Sequence, residues 1–144
     1  MTTMSTDPRG AVAACSDLVV SYHRAIDTGR ATDGISAFAP EAEFTAKGRV
    51  MRGHDEILDF LADRERQVDR QTVHVIANEK VLDAIEERVE LGALILLYVR
   101  GPAGDYVLER VLETRHTFGE FNGTWLITRR TSSPLHSPEI ERIP

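Results

Sequence analysis

The chain has 144 residues, 42% of them hydrophobic and 28% charged, which is the size and composition of one globular domain. Its net charge of −6 argues against a nucleic acid or membrane partner, because both require a basic face. The single cysteine, Cys15, excludes an internal disulfide and a thiolate metal cluster. No stretch reaches the roughly 18 apolar residues of a membrane span, and the polar first ten residues have no signal-peptide pattern. We therefore expect a soluble cytoplasmic domain at residues 11–132, between a disordered tail at 1–10 and a C-terminal tail at 133–144.

The N-terminal part of the chain has the hydrophobic period of helices. Between residues 11 and 28 apolar side chains recur every three or four positions, and Gly29 is placed to end this amphipathic helix. Thr32 or Asp33 can cap a second, shorter helix, and Pro40 is expected to end it. The sequence thus begins with two helices.

Two short extended segments and a third helix follow. Residues 41–46 alternate weakly and predict a short strand, and residues 49–52 predict a small ribbon between two glycines. A third helix is expected over about residues 54–68, where Asp55 and Glu56 suit the positive end of the helix dipole.

From residue 72 onward the hydrophobic period changes to two, which is typical of strands. Asn122-Gly123 predicts a two-residue hairpin, because both residues tolerate the positive φ of a type I′ turn. Helices followed by strands indicate an α+β domain in which the helices pack on one face of a curved antiparallel sheet. The predicted strands cover residues 72–85, with a bulge near 78–80, then 87–99, 106–118 and 124–131.

Five segments resemble, in order and spacing, the SnoaL-like group of the nuclear-transport-factor-like superfamily. The resemblance implies a cone-shaped α+β domain whose mixed or antiparallel sheet carries three N-terminal helices on its concave face, with a pocket between the layers. The matching segments are YHRAIDTG (22–29), FAPEAEF (38–44), GHDEILDF (53–60), VHVIAN (73–78) and GTWLITRR (123–130).

Within that superfamily the chain is most similar to the branch of scytalone dehydratase and bile-acid dehydratase. Those enzymes use a Tyr and an Asp from the first helix with a His on the first long strand, a set that Tyr22, Asp27 and His74 match. The resemblance also implies a basic residue on the last strand. By strand alternation this is Arg130, on the side of Leu126 and Thr128, or else Arg129 on the opposite side.

Each candidate residue also has a purely structural interpretation. His74 can exchange a proton near neutral pH, or it can be a half-buried histidine bonded to a carbonyl. Asp27 lies where the helix dipole disfavours a carboxylate, which indicates a role in orienting His74. The structural alternatives are a bond to the turn at residues 29–31 or an exposed pair with His23. Tyr22 can serve as a hydroxyl donor or as part of the core.

The remaining expected ligand contacts come from the strands and the third helix. His116 is a candidate second pocket base on strand alternation alone, and Phe60 and Trp125 are the expected aromatic contacts. The arginine that does not face the pocket is expected to pair with Glu109 or Glu113, and His54 and His136 are expected to be exposed.

We therefore expect a cofactor-free enzyme that abstracts a proton from a small, largely apolar carbonyl compound. Dehydration is the first choice, isomerisation or polyketide-type cyclisation the alternatives, and epoxide hydrolysis a more distant one. A non-catalytic, ligand-binding domain of the same fold is the alternative of another class. No cofactor or metal is expected, because the chain lacks HExxH, GxGxxG, P-loop and GxSxG motifs. Homodimerisation through the outer sheet face is expected from the Leu- and Val-rich residues 87–99.

Overall fold

The computed structural model describes residues 7–135 and 142–144. Helix α1 covers Pro8–Asp27, and the Asp7 side chain caps it by accepting a hydrogen bond from the Arg9 amide. Pro8 suits the first helical turn, because the amide that it lacks would have no partner there. The helix therefore begins within the predicted tail, three residues before the expected boundary. His136 lies outside the described residues.

The segment after α1 differs from the sequence prediction. The second helix is a 3₁₀ helix at Ala31–Ala37, and strand β1, Phe38–Ala46, follows it directly. Pro40 thus lies inside a strand rather than at the end of a helix, which agrees with its fixed φ and with the extended conformation favoured before proline. Strand β2, Arg49–Arg52, pairs antiparallel with β1.

Helix α2 and four long strands complete the domain. Helix α2 covers Gly53–Glu65 and ends three residues before the predicted position. The Asn122-Gly123 turn is confirmed, with φ of 53° and 83°. So is the bulge in β3, where the register shifts between Ala77 and Lys80 and Asn78 has a φ of 50°. The strands are β3, Thr72–Ile85; β4, Arg88–Arg100; β5, Tyr106–Phe121; and β6, Thr124–Pro134.

One six-stranded sheet joins all the strands in the order β2-β1-β6-β5-β4-β3. The β1–β6 pairing is parallel and the others are antiparallel, so the sheet is mixed. It is curved and unclosed, and the helices pack on its concave face, which confirms the predicted fold class. No helix in the described ranges has the length and apolar character needed to cross a bilayer.

The core lies between the helices and the concave face. It is built largely from aromatic and branched side chains, which bury the most apolar surface per residue. Among its fully buried members are Val19, Tyr22, Phe38, Phe44, Ile57, Leu61, Leu91, Phe118 and Ile127.

A bulge in β6 changes which side chains face the core. Phe118 pairs with Ile127 and Thr117 pairs with Arg129, so Thr128 is an extra residue in β6. Alternation is interrupted there, and Arg130 points to the same side as Ile127. The expectation that Arg130 shares a face with Leu126 and Thr128 is therefore wrong, although the arginine does lie on the inner side. Strand β6 also continues to Pro134, beyond the predicted start of the C-terminal tail.

Candidate active site

A cavity of about 880 Å³ lies between the helices and the concave face of the sheet. Its apolar wall comes from both layers, and Tyr22, His74 and Arg130 are among the polar side chains that line it. A cavity of this size suits a small organic ligand. The apolar lining includes Ile26, Phe44, Phe60, Leu61, Leu97 and Leu112.

His74 and Asp27 form a direct pair at the wall of this cavity. The ring Nδ1 of His74 lies 2.6 Å from Asp27 Oδ1, and the backbone amide of His74 donates to Asp27 Oδ2 at 2.8 Å. The carboxylate accepts at Nδ1, so the neutral ring has its proton there and its lone pair on Nε2. The pair thus combines an oriented imidazole with a free basic nitrogen.

Thr72 and Arg64 support the carboxylate from behind. The Thr72 hydroxyl donates to Asp27 Oδ1 at 2.8 Å, and an Arg64 guanidinium nitrogen donates to the Thr72 hydroxyl at 3.1 Å. Burial raises the pKa of the Asp27 carboxyl, but the hydrogen bonds from His74 and Thr72 outweigh it and hold that pKa below its usual value. Asp27 is therefore ionised beside His74 at neutral pH.

Tyr22 and Asp27 act from different sides of α1. They are five residues apart, which is about 140° of helical rotation. Tyr22 lines the cavity, whereas Asp27 reaches the start of β3 and supports His74. The Tyr22 ring packs against Gly34, where a Cβ would lie 3.1 Å from Tyr22 Cδ1, so the absence of a side chain gives the ring its place.

Arg130 is a buried cation on the cavity wall. It is 4% exposed, and its guanidinium carbon lies 4.6 Å from the ring centre of Phe44 and 5.1 Å from that of Tyr22. Burial lowers the pKa of Arg130. A guanidinium nevertheless keeps its charge in proteins. Among the described residues no carboxylate forms an ion pair with Arg130. Its charge is instead stabilised by the two aromatic faces.

His23 is the site residue that sequence reasoning missed. It was considered only as an exposed partner of Asp27, but it is 2% exposed. Its Nδ1 donates to the Val19 carbonyl at 2.8 Å, so its Nε2 is free to accept from Arg130 Nη2 at 3.1 Å. Its ring centre lies 5.1 Å from that of His74. His23 follows the apolar Val19 by four residues, which places both on one face of the helix. That spacing was the available signal, but a histidine on such a face can be either buried or exposed.

His116 supports Arg130 and does not line the cavity. Its Nε2 accepts a hydrogen bond from Arg130 Nε at 3.0 Å, and the side chain is 1% exposed. Burial, followed by the Arg130 charge, lowers the pKa of both His23 and His116 well below the usual value. Both rings are therefore neutral acceptors, and a role for His116 as a pocket base finds no support in this geometry.

Of the other residues with a predicted position, one lines the cavity and three lie elsewhere than expected. Phe60 lines the cavity, but Trp125 packs in the core and is not part of the cavity wall. Arg129 is exposed and lies 3.9 Å from Glu43, not against Glu109 or Glu113. His54 is half-buried rather than exposed, and its Nε2 lies 2.8 Å from the Phe38 carbonyl. Across residues 7–135 and 142–144 no cluster of three His, Cys, Asp or Glu side chains is placed to hold a metal.

Residues 10–131 match the SnoaL-like domain family over most of the chain. The chain belongs to the SnoaL-like family. The sequence resemblance to this group is thereby confirmed. No curated protein matches the sequence.

Solved structures share the fold at low sequence identity. An NTF2-like protein with a cystatin-like fold from Novosphingobium aromaticivorans has a TM-score of 0.80 and 16% identity, over 90% of this chain and 84% of its own. A proposed dehydratase of the NTF2-like family from Streptomyces avermitilis has a TM-score of 0.77 and 14% identity, over 91% and 100%. A protein from Catenulispora acidiphila, in complex with S-DNPA, has a TM-score of 0.76 and 16% identity, over 88% and 94%. These likenesses show the SnoaL-like, NTF2-type fold.

Proposed function

We propose that this SnoaL-like protein is a cofactor-independent dehydratase that acts on a small hydroxy-carbonyl compound with a largely apolar body. The observation that carries the proposal is the 2.6 Å contact of His74 Nδ1 with Asp27, in a cavity that also contains the buried cation of Arg130. An oriented base and an unpaired cation on one cavity are what proton abstraction beside a carbonyl requires. The dehydratase of similar fold from Streptomyces avermitilis adds support by analogy.

The first step is removal of a proton α to the carbonyl. His74 Nε2 takes the proton, the C–H electron pair forms the enolate, and the imidazolium is stabilised by the Asp27 carboxylate. Arg130 lies on the same cavity and donates to the developing enolate oxygen. Its buried position strengthens that interaction, because little water screens the charge. Tyr22 is the second donor, through its hydroxyl.

The second step is loss of the β-hydroxyl group. The enolate electron pair forms the carbon–carbon double bond as the β carbon–oxygen bond breaks. The proton on His74 Nε2 is transferred to the departing oxygen, which leaves as water. The products are a conjugated carbonyl compound and water, and His74 returns to its neutral form without any redox partner or cofactor.

Isomerisation and polyketide-type cyclisation begin with the same proton abstraction. An isomerase returns the proton to another carbon, and a cyclase lets the enolate attack a second carbonyl. Epoxide hydrolysis is less well supported, because Asp27 is engaged by His74 and Thr72 rather than by a water position facing Arg130. A non-catalytic ligand-binding domain would use the same cavity without needing a free Nε2 on His74.

The deciding experiment measures proton exchange and turnover separately. The protein is incubated in D₂O with a panel of β-hydroxy ketones, and NMR follows α-deuteration while ultraviolet absorbance follows the conjugated product. We expect exchange and product with the wild type, neither with His74→Gln, and both with the control His54→Gln, whose side chain is outside the cavity. Exchange without product favours the isomerase or cyclase. Exchange that survives His74→Gln contradicts the proposal, and panel binding without any exchange supports the binding-only domain.

We also infer that two copies of the chain associate through the outer face of the sheet. Val73, Val75 and Leu108 are exposed large apolar side chains on strands β3 and β5, and the strand register places Leu108 on the same face as Val73. Apolar surface of this kind favours association. Sedimentation at micromolar concentration tests the inference, and a monomer throughout would contradict it.

A further inference from the structure

The lining of the cavity is basic, although the protein as a whole is acidic. Two acidic side chains, Asp63 and Glu109, line it, whereas the chain carries a net charge of −6. The basic side chains outnumber them threefold. They are Lys47, Arg49, Arg64, Arg70, Arg110 and Arg130.

The two lining acids are already engaged by cations. Glu109 accepts two hydrogen bonds from Arg70, at 2.8 and 3.2 Å, and its Oε1 lies 3.6 Å from Arg110 Nε. The hydrogen bonds from Arg70 lower the pKa of Glu109 below its usual value against burial, and the charges of Arg110 and Lys47 add to this effect. One carboxylate thus faces three cations. Asp63 forms an ion pair with Arg66, which does not line the cavity.

Two further cations, Arg64 and Arg49, form no ion pair with a carboxylate in the described part of the chain, although Asp27 acts on the charge of Arg64 from beyond Thr72. Arg64 donates to the Arg70 carbonyl at 2.8 Å and to the Thr72 hydroxyl at 3.1 Å, and neither acceptor is charged. Arg49 lines the cavity from strand β2 and forms no ion pair with any described residue. Positive charge therefore exceeds negative charge at this opening.

Part of the excess charge is exposed to solvent. Lys47, Arg49 and Arg110 are exposed, and we call these three residues the mouth. Arg130 and His74 are much less accessible and form the inner end. The cavity thus has three exposed cations at its opening, and His74 and one buried cation among apolar side chains further inside.

We propose that the substrate carries an oxyanion, a carboxylate or a phosphate, which the mouth binds while the hydroxy-carbonyl part reaches His74. This orientation rests on the proposed function, but the anion preference does not. Clustered cations raise the local concentration of an anionic ligand and its association rate. Arginine side chains bind both carboxylate and phosphate groups through paired hydrogen bonds, and lysine binds both as a point charge.

The test compares two fluorescent probes that differ by one anionic group. 1-Anilinonaphthalene-8-sulfonate carries a sulfonate, and N-phenyl-1-naphthylamine has the same aromatic body without it. The sulfonate probe should bind at least about threefold more tightly at low ionic strength, and added salt should remove that advantage. Perturbation of the His74 ring signals in NMR spectra locates both probes in the cavity. Equal affinities, or binding that leaves these signals unchanged, would overturn the proposal.

The variant Lys47→Gln/Arg49→Gln removes two mouth charges from exposed positions, where folding is insensitive to the change. Affinity for the sulfonate probe should fall about fivefold, and affinity for the neutral probe should stay within about twofold. Arg52→Gln, on the same strand but outside the cavity, is the matched control and should change neither. Equal losses for both probes, or no loss for the sulfonate probe, would contradict the anion site.

Displacement of the sulfonate probe identifies the oxyanion. 2-Naphthoate, 2-naphthyl phosphate and neutral 2-naphthol are compared as competitors. A carboxylate substrate predicts that 2-naphthoate is the best competitor, and a phosphate substrate predicts 2-naphthyl phosphate. If 2-naphthol competes as well as both, the proposal fails. None of these measurements requires turnover, so their outcome is independent of the His74→Gln result.

Discussion

The carboxylate of Asp27 accepts hydrogen bonds from both the ring and the main chain of His74, at 2.6 and 2.8 Å. One carboxylate oxygen thus positions the backbone of β3 at His74, and the other positions the His74 ring. This arrangement explains an acid at the C-terminal end of a helix, where the dipole disfavours it. The C-terminal end of α1 thus orients His74 relative to strand β3.

Replacing Asp27 with Asn should reduce kcat/KM by about 10²- to 10⁴-fold, the usual contribution of an oriented acid–base group. The neutral amide cannot stabilise the imidazolium, and its NH₂ group can favour the wrong tautomer of His74. Steady-state kinetics on a substrate found in the panel measures the loss. Asp17→Asn, the same change at an exposed position of α1, is the control. Equal rates for Asp27→Asn and the wild type would remove Asp27 from the mechanism.

Asp27 should also make stability depend on acid pH. Its pKa is lower in the folded state than in the unfolded state, so its stabilising effect is complete above about pH 4 and is lost as pH falls through the folded value. Urea unfolding of the wild type and of Asp27→Asn between about pH 6 and pH 3 measures this. The difference in free energy of unfolding should shrink as the pH decreases. A constant difference over that range would show that the carboxylate is not stabilised by its hydrogen bonds.

The neutral pair His23 and His116 predicts a second pH dependence, at higher pH. Both pKa values are lowered in the folded state, so below about pH 6.5 the unfolded chain binds protons that the folded chain does not. Stability should fall with decreasing pH, with a slope that approaches about 1.4 kcal/mol per pH unit for each histidine.

The double variant His23→Gln/His116→Gln keeps an acceptor for Arg130 and removes both titrating rings. Its free energy of unfolding should vary less between about pH 7 and pH 5 than that of the wild type. The slope against pH should be smaller by up to the contribution of two bound protons. NMR of the ring protons gives an independent reading, because both rings should remain neutral at a pH that protonates an exposed histidine. A wild-type slope equal to that of the variant, or protonated rings near pH 6, would contradict the assignment.

Arg130 should matter more for activity than for stability. Replacing it with Met removes a costly buried charge but leaves two imidazole acceptors unpaired, so the free energy of unfolding should change by no more than about 1–2 kcal/mol. Loss of the enolate donor should lower kcat/KM by about 10²- to 10³-fold. Kinetics and denaturant unfolding of the same samples separate the two effects.

Arg129→Met is the control for that experiment, because it makes the same change one residue away on the exposed face. Its 3.9 Å contact with Glu43 is solvent-exposed, so stability should change by less than about 1 kcal/mol and activity should be unaffected. Similar losses of activity in both variants would mean that Arg130 has no specific role.

Most of the fold could be predicted from local sequence patterns. The change of hydrophobic period after residue 71 marked the start of β3, and Asn122-Gly123 fixed the last hairpin, because each is a property of a few adjacent residues. The conformation of residues 31–40 could not be predicted in the same way. The 3₁₀ helix there depends on packing of Gly34 against Tyr22, which is a contact with another element.

The His74–Asp27 pair could be predicted from the sequence, but the residues that surround it could be predicted less well. Asp27 and His74 were recognised from their types and order, and the structure brings them together. His23 was missed because its spacing from Val19 indicates only a shared helix face, and a histidine on that face can be buried or exposed. Trp125 was wrongly placed on the cavity, because an inward strand position does not tell whether core or cavity lies above it.

The extra residue at Thr128 divides β6 into two parts whose side-chain alternation is independent. The part before it supplies Trp125 and Ile127 to the core, and the part after it supplies Arg130 to the cavity. If Thr128 were paired without a bulge, strict alternation from Ile127 would turn Arg130 outward and place Arg129 inside, without the aromatic and imidazole neighbours of Arg130. Deleting Thr128 would instead leave Arg130 inside, two positions after Ile127. The identity of the buried cation is thus set by the bulge, because the same residues paired without it would present Arg129 to the cavity instead.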